Sequence, residues 1–286
     1  MKQDKISIVI PSYNGKDLLA RNLPRVIKAC KGYEIIVVDD ASVDQSVNFI
    51  QSKFPKVKIV QHKKNQRFAA ACNTGVKAAK GDIVVLLNND VSPSPKENFL
   101  KPLIKHFKDK KVFSVGCKEI SVKNGRKVIS GRTAGKFHRG LFIHWRPKDQ
   151  KSQNTLWTFG GSMAVDRKKY LTLGGMDTLF SPAYWEDVDL CFRARKKGWK
   201  ILFEKNSIVY HNHETTNISV FGKKKMKIYA FRNQILFVWK NIRGEQLLEH
   251  FFWLPYHLVF TTIRSKGLFL IAFLAAILKI PKLLRN

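Results

Sequence analysis

Short apolar runs alternate with helically spaced segments through roughly the first ninety residues, and no other feature limits the fold of this chain as tightly. Ile6-Ser7-Ile8-Val9-Ile10, ended by Pro11, reads as a strand, as do Glu34–Val38, Val57–Val60 and Ile83–Leu87. Between them Asp17–Ala29, Asp44–Phe54 and Phe68–Ala79 carry apolar residues at helical spacing and stop near Gly32, Pro55 and Gly81. Runs without polar alternation belong to strands covered on both faces, and repeated strand–helix–strand units make parallel pairs with right-handed crossovers. Ligands of such sheets bind beyond the carboxyl ends of the strands. That rule points to Pro11–Asn14, to Asp39-Asp40 and to Asn88-Asn89-Asp90. Neither a G-x-G-x-x-G after the first strand nor a G-x-x-x-x-G-K-[ST] occurs, which argues against a dinucleotide fold and a P-loop.

The remainder is less regular. Val112–Cys117 reads as a strand, residues 118–146 show no clear period, and Leu156–Val165 reads as a strand holding the pair Gly160-Gly161. A helix is expected over Glu186–Lys197, strands over Trp199–Phe203 and Ile208–Tyr210, and a helix over Met226–Trp239. Phe251–Ile263 and Gly267–Ile280 are apolar runs, each shorter than the roughly 20 residues that a spanning helix needs. Arg264-Ser265-Lys266 separates the two runs, and Lys223-Lys224-Lys225 precedes the aromatic-rich Met226–Trp239. This pattern suits helices lying in a membrane interface, the alternative being helices packed on the domain's own core.

The chain has 286 residues and a formal net charge of +31, so its surroundings are expected to be anionic. A hydrophobic content of 44% excludes a disordered basic tail. The excess is uneven: residues 96–151 and 196–286 each carry 16 basic and 4 acidic side chains, whereas 152–195 carry 5 of each. The neutral stretch has kept carboxylates inside a basic protein. A nucleic-acid-binding reading explains the basic, aromatic segment 123–146, yet leaves carboxylates at strand ends without a role. The four cysteines are far apart, without a C-x-x-C, and the opening residues lack a signal-peptide core. Reduced thiols in a cytosolic compartment are expected.

Three sets of acids invite chemistry. Asp39 and Asp40 close a strand at the ligand edge, where they can bind a nucleotide or cap the next helix, and Asp44 reads as a cap. Asp90, within Asn88-Asn89-Asp90, offers a hard oxygen to Mg²⁺ or Mn²⁺ shared with substrate phosphates, or closes a turn. Glu186, Asp187 and Asp189 follow Tyr184-Trp185; aromatic neighbours and like charge raise a carboxylate's pKa toward base duty, while a helix N-terminus also favours acids. Of the histidines, His211 and His213 stand in suggestive places, and His62 and His106 read as surface or packing residues.

SIVIPSYNG, IIVVDDASVD, FAAACNTGVKAAKGDIVVLLNND, GGSMAVDRKKY, LGGMD, YWEDVDLCFRARKKGW and VYHNH occur in one order. Together they resemble family 2 glycosyltransferases, in particular a rhamnosyltransferase-like branch, over about residues 5 to 240. The resemblance implies an α/β GT-A fold: a Rossmann-like, mainly parallel mixed sheet flanked by helices over 1–240, with C-terminal amphipathic helices over 241–286. It implies inverting, metal-dependent transfer from a nucleotide-diphosphate sugar to a glycan or lipid-linked acceptor in cell-surface polysaccharide synthesis. The site would be peripheral on the cytoplasmic face of an anionic membrane, with no nucleic acid as partner. By position, Pro11, Tyr13, Asp39, Asp40 and Asn89 match the nucleotide pocket, Asp90 and His211 the Mg²⁺ or Mn²⁺ site, and Asp187 the general base. Gly160, Gly161, Trp185 and Glu186 match the sugar and acceptor region, although the glycines have an equally available packing role. The chain departs from the family pattern at Asn88, where an acid is usual, and at Arg67, where glycine is usual. Asn88 leaves open a protein that binds sugar nucleotide without turnover. Arg67 either reaches the donor diphosphate or is merely exposed.

Overall fold

The computed structural model describes residues 5–95, 98–123, 125–211 and 216–284; His213 lies outside them. The expected alternation is present as β1 (Ile6–Ser12), α1 (Lys16–Ala29), β2 (Glu34–Asp39), α2 (Ser46–Lys53), β3 (Lys58–Gln61), α3 (Arg67–Ala78) and β4 (Ile83–Leu87). These strands lie parallel in the order β3, β2, β1, β4, with Ser7 opposite Glu34 and Ile6 opposite Ile83. Successive side chains of a strand leave opposite faces. Ile8 and Ile10 therefore join one apolar cluster with Leu19, Leu23 and Val26 of α1, while Val9 joins another with Cys72 and Val76 of α3. Gly75 lets α3 press onto the sheet, since a Cβ there would lie 2.2 Å from Val9 Cγ1. Pro11 does not end β1. It pairs opposite Val38, because its fixed φ suits extended backbone and only its N–H is missing from the ladder.

Beyond β4 come β5 (Val91–Pro93), α4 (Leu100–Ile104), β6 (Val112–Lys123), β7 (Arg126–Ser130), β8 (Ala134–His138), β9 (Leu141–Trp145), β10 (Ser162–Asp166), α5 (Arg167–Thr172), α6 (Glu186–Lys196) and β11 (Lys200–His211). β10 lies antiparallel between β4 and β6, β11 runs parallel to β6, and β5 closes the edge antiparallel to β11. The aperiodic segment 118–146 thus holds the end of β6, its partner β7, and a separate β8–β9 hairpin. Arg139 and Gly140, at the hairpin's turn, both have positive φ, as a tight two-residue connection requires. Two sequence expectations change. Of Leu156–Val165, only the part from Ser162 is strand, because Thr133 Oγ1 takes the Trp157 N–H and carbonyl out of any ladder. Trp199–Phe203 and Ile208–Tyr210 are one strand, broken in register between Glu204 and Ile208 where buried Glu204 turns to Lys105 and His106.

The chain ends in α7 (Thr216–Asn241), interrupted at Gly222, then α8 (Glu245–Tyr256), a π-turn over His257–Thr261, α9 (Thr262–Arg264), α10 (Leu268–Ile277) and α11 (Ile280–Leu283). One face of α10 is packed: Phe269, Ala272 and Ala276 are buried, with the Phe269 ring 5.4 Å from that of Phe231. The outward faces stay open, with Phe252 77%, Ile263 70% and Leu278 81% exposed. No helix among the described residues is long and apolar enough to cross a membrane.

Asp189 joins the two halves. Fully buried on α6, it accepts hydrogen bonds from Arg193 Nε (2.8 Å), Lys240 Nζ (3.0 Å) and Asn241 Nδ2 (2.8 Å), the last two from α7. Removing one partner of such a network strands buried charges. Asp189→Ala should cost about 3–5 kcal/mol and lower Tm by roughly 10 °C, read by thermal circular dichroism; a shift under about 2 °C would refute the assignment.

Candidate active site

A cavity of about 820 Å³ opens beyond the carboxyl ends of β1 and β4. Pro11, Tyr13, Asp40, Arg67, Asn89 and Asp90 reach its wall from the first half of the sheet. Gly160, Gly161, Trp185, Glu186, Asp187 and His211 reach it from the second half. Asp39 is not on the wall. It is buried at the end of β2, where Oδ2 accepts the Ser42 N–H at 3.1 Å and Oδ1 makes no hydrogen bond.

Asp40 is fully partnered. Its carboxylate accepts the backbone N–H groups of Gln66 and Arg67, both at 2.7 Å, and lies 2.7 Å from His62 Nδ1. Gln66 supplies no side-chain cap to α3, so Asp40 satisfies the helix's open donors from outside. His62, read from sequence as a surface or packing residue, is buried and extends the chain to Thr74 Oγ1 at 2.9 Å. Asp40 therefore sets where α3 begins, and with it where Arg67 stands. Arg67 has φ +75° and carries its guanidinium 5.3 Å above the Phe221 ring at the cavity. Gln45, not Asp44, is the N-cap of α2, but the Asp44 carboxylate meets the first N–H of two helices: Oδ1 accepts from the Ser46 N–H at 3.1 Å and Oδ2 from the Lys16 N–H at 2.8 Å. Burial of Asp44 opposes its charge, but bonds from Ser46 and Lys16 outweigh this and hold its pKa below the ordinary value.

Asn88-Asn89-Asp90 divides into three tasks. Gly161 makes room for Asn88, whose side chain would lie 2.4 Å from a Cβ at 161, and the Asn88 N–H donates to Gly161 O at 2.9 Å. Asn89 Nδ2 donates to Ser12 Oγ at 3.0 Å, tying the ends of β4 and β1 together. Asp90 faces His211, which the β11–β5 pairing sets opposite Val91. His211 Nε2 lies 3.3 Å from Asp90 Oδ1, and Nδ1 lies 3.3 Å from Glu119 Oε2. Burial opposes charge on the ring, but Asp90 and Glu119 outweigh it and push the pKa up to about 10.

Glu119 escaped the sequence reading. It sits within β6, buried, and accepts from Ser162 Oγ at 2.6 Å and Ser130 Oγ at 3.4 Å. Its signal was a lone acid inside Val-Gly-Cys-Lys-Glu-Ile, since an unpaired glutamate is rarely buried. A carboxylate oxygen and an imidazole nitrogen thus converge at the wall, with Glu119 on the far side of the ring. That pair can hold Mg²⁺ or Mn²⁺ if the incoming cation displaces the Nε2 proton of His211 and phosphate oxygens complete the shell. Among the described residues no group of three or more His, Cys, Asp or Glu side chains is arranged to hold an ion alone.

The acids of α6 separate. Glu186 is buried, while Asp187 keeps part of its surface open. Asp187 Oδ2 accepts from Gly160 N at 3.3 Å and Oδ1 from Val188 N at 2.8 Å. Burial leads in raising both pKa values, helped at Glu186 by repulsion from Asp187 and at Asp187 by repulsion from Glu119. The preceding backbone is held from α7: Asn233 Nδ2 lies 2.5–3.2 Å from the carbonyls of Phe180, Ala183 and Tyr184. Arg232 donates to Ser181 O at 2.7 Å.

Known proteins resemble this chain in sequence and in fold. The chain is 29% identical over 213 residues to a pre-mycofactocin glycosyltransferase of Mycobacterium tuberculosis, covering 73% of this chain and 43% of that one. It is 32% identical over 121 residues to a dolichol-phosphate mannosyltransferase of Pyrococcus furiosus, covering 41% and 34%. The chain thus spans less than half the length of these curated relatives. A mannosyltransferase from Pyrobaculum calidifontis, solved with GDP-Man and Mn²⁺, superposes with a TM-score of 0.61 at 18% identity, over 98% of this chain and 87% of that one. The fold is GT-A. The sequence model of glycosyl transferase family 2 matches residues 7–173, more than half of the chain. On that match, joined to the ordered motifs and the fold they build, the chain belongs to glycosyl transferase family 2.

Proposed function

We propose that the chain transfers a sugar from a nucleotide-diphosphate donor to a hydroxyl of a glycan or lipid-linked acceptor, with inversion at the anomeric carbon. The observation that carries this is one cavity holding a raised-pKa, partly open Asp187 together with Asp90, His211 and the loops at the carboxyl ends of β1 and β4. The nucleotide lies toward Pro11, Tyr13 and Arg67, and the diphosphate toward Asp90 and His211. A divalent cation held there by Asp90 and His211 would offset charge on the departing diphosphate, as the Mn²⁺ in the Pyrobaculum complex suggests. Asp187 takes the proton of the acceptor hydroxyl as its oxygen bonds the anomeric carbon. The bond from that carbon to the phosphate oxygen breaks on the opposite face, releasing nucleoside diphosphate.

Asp187→Asn should lower kcat by about 10²–10⁴-fold with donor affinity within about threefold of wild type, using the nucleotide sugar that a binding screen selects. The base works deprotonated, so activity falls as pH drops through its pKa. Burial places that limb at about 6, above the ordinary aspartate value near about 3.9. Unchanged turnover in the variant would remove Asp187 from the base role, whereas a wild type that binds the donor without turnover would support a non-catalytic sugar-nucleotide binder, the possibility that Asn88 leaves open.

Glu119 orients the ring of His211. Glu119→Gln should weaken binding of Mn²⁺ in the presence of inorganic diphosphate by about tenfold, measured by electron paramagnetic resonance. Equal affinity would remove Glu119 from the site.

We also infer that the outer faces of α8–α10 lie on an anionic membrane, on its inner face if the acceptor is made there. Phe252, Phe260, Ile263 and Leu278 project outward, with Arg264 and Lys266 exposed beside Ile263 in sequence and Lys223–Lys225 exposed in α7. The dolichol-phosphate mannosyltransferase relative is consistent with a lipid-borne acceptor. The double variant Phe252→Ser, Ile263→Ser should retain Tm but sediment with anionic vesicles at least about tenfold less, each buried large apolar side chain contributing about 1.5–3 kcal/mol. Undiminished sedimentation would exclude this face.

A further inference from the structure

The β8–β9 hairpin joins two places that lie far apart in sequence. At its turn, His250 Nδ1 of α8 lies 2.7 Å from Gly140 O, and His257 Nε2 lies 2.8 Å from Arg139 O. Arg139 donates to Tyr256 Oη at 2.8 Å and stacks over Trp253 and Tyr256. Only glycine fits at 140, because a Cβ there would lie 2.5 Å from His250 Cα. At the other end, His144 sits edge-on to Trp157 and Trp185, with ring centroids 4.9 and 5.1 Å away. The hairpin is thus fastened to the apolar-faced helices at its turn and to the catalytic segment at its base. The residues from Gly140 to Trp145 span about 17 Å of strand.

That base forms a cavity wall that neither the nucleotide loops nor the Asp90–His211 pair uses. Trp145, Arg146 and Tyr184 line it, and Trp145 and Tyr184 are 46% and 47% exposed. Large aromatic faces left open inside a cavity are platforms for the apolar face of a sugar ring, and a guanidinium beside them suits phosphate oxygens. Between Glu119 and Asp149 the chain carries eight Lys or Arg and no acid, so this wall favours anions.

Resting on the transferase reading of the same cavity, we infer that Trp145, Tyr184 and Arg146 form an acceptor subsite for a sugar carried on a lipid phosphate. The ring lies against the two aromatics, the phosphate against Arg146, and the lipid runs along the hairpin toward the open faces of α8–α10.

Isothermal titration of the full chain with glucosyl decyl phosphate, in EDTA to keep metal-held phosphate out of the donor end, tests this. Wild type should bind it at least about tenfold more tightly than decyl glucoside, and inorganic phosphate should not compete. Trp145→Ala and Arg146→Ala should each weaken it by about tenfold, with Mn²⁺–diphosphate binding within twofold of wild type. Equal affinity for decyl glucoside, effective competition by inorganic phosphate, unchanged affinity in both variants, or no binding by wild type would each overturn the subsite. Loss of Mn²⁺–diphosphate binding in wild type would instead count against the transferase reading itself.

Discussion

The central strands of the sheet are buried on both faces, and the placement of most groups at the cavity follows from that constraint. A strand such as β1, with Val9 facing α3 and Ile8 and Ile10 facing α1, has no room for polar chemistry along its length. Polar side chains must gather where strands end, because only there can they meet water or ligand. The loops after β1 and β4 do so, and insertion of β10 beside β4 brings Gly160 and Gly161 to the same edge. Asp40 shows how tightly this edge is built. Its carboxylate completes the N-terminus of α3, and through the helix start it locates Arg67.

Charge is sorted with equal economy. Acids with a structural task have cations beside them: Asp189 has Arg193 and Lys240, Asp177 has Lys240, and Glu204 has Lys105. Asp90 and Glu119 share His211. Among the described residues Glu186 and Asp187 have no cation partner, although the protein carries a net +31. A carboxylate neutralised by a salt bridge is a weak base, whereas one that is buried and unpaired gains basicity. The acids of the neutral stretch 152–195 therefore divide: Asp166 caps α5, Asp177 and Asp189 share Lys240 of α7, and Glu186 and Asp187 are left at the cavity.

The C-terminal helices serve both sides of this arrangement. Their inner face supplies Phe269, Ala272 and Ala276 to the core, while Lys279 Nζ reaches the carbonyl of Leu179 at 2.6 Å, close to the catalytic segment. Burial and the neighbouring Arg232 and Lys282 push the Lys279 pKa down to about 8. Their outer face leaves large apolar side chains in the open. A truncation would remove core and the support of the Leu179–Ser181 backbone together, so outward point substitutions are the cleaner probe of this surface.

The βα alternation, the strand-end acids and the acid-bearing α6 were legible in the chain because period and turn chemistry are local. That Asp44 meets a helix start was legible for the same reason, although the N-cap itself is Gln45. The strand breaks were less so: Pro11 continues β1, and Glu204 bends β11 without ending it, since register depends on the neighbouring strand. Asp39 and Asp40 look alike in sequence, yet Asp40 meets three donors and Asp39 turns beneath the edge. Glu119 and the wall of Trp145 and Arg146 carried no periodic signal at all. Sequence alone determined the layered α/β architecture and the order of its motifs, because backbone propensity and hydrophobic spacing act within a few residues. Only the tertiary structure decided that His211 stands between Asp90 and Glu119 and that Asp187 stays unpaired. Those outcomes depend on β10, β11 and α7 crossing long stretches of chain to meet β4, β5 and α6.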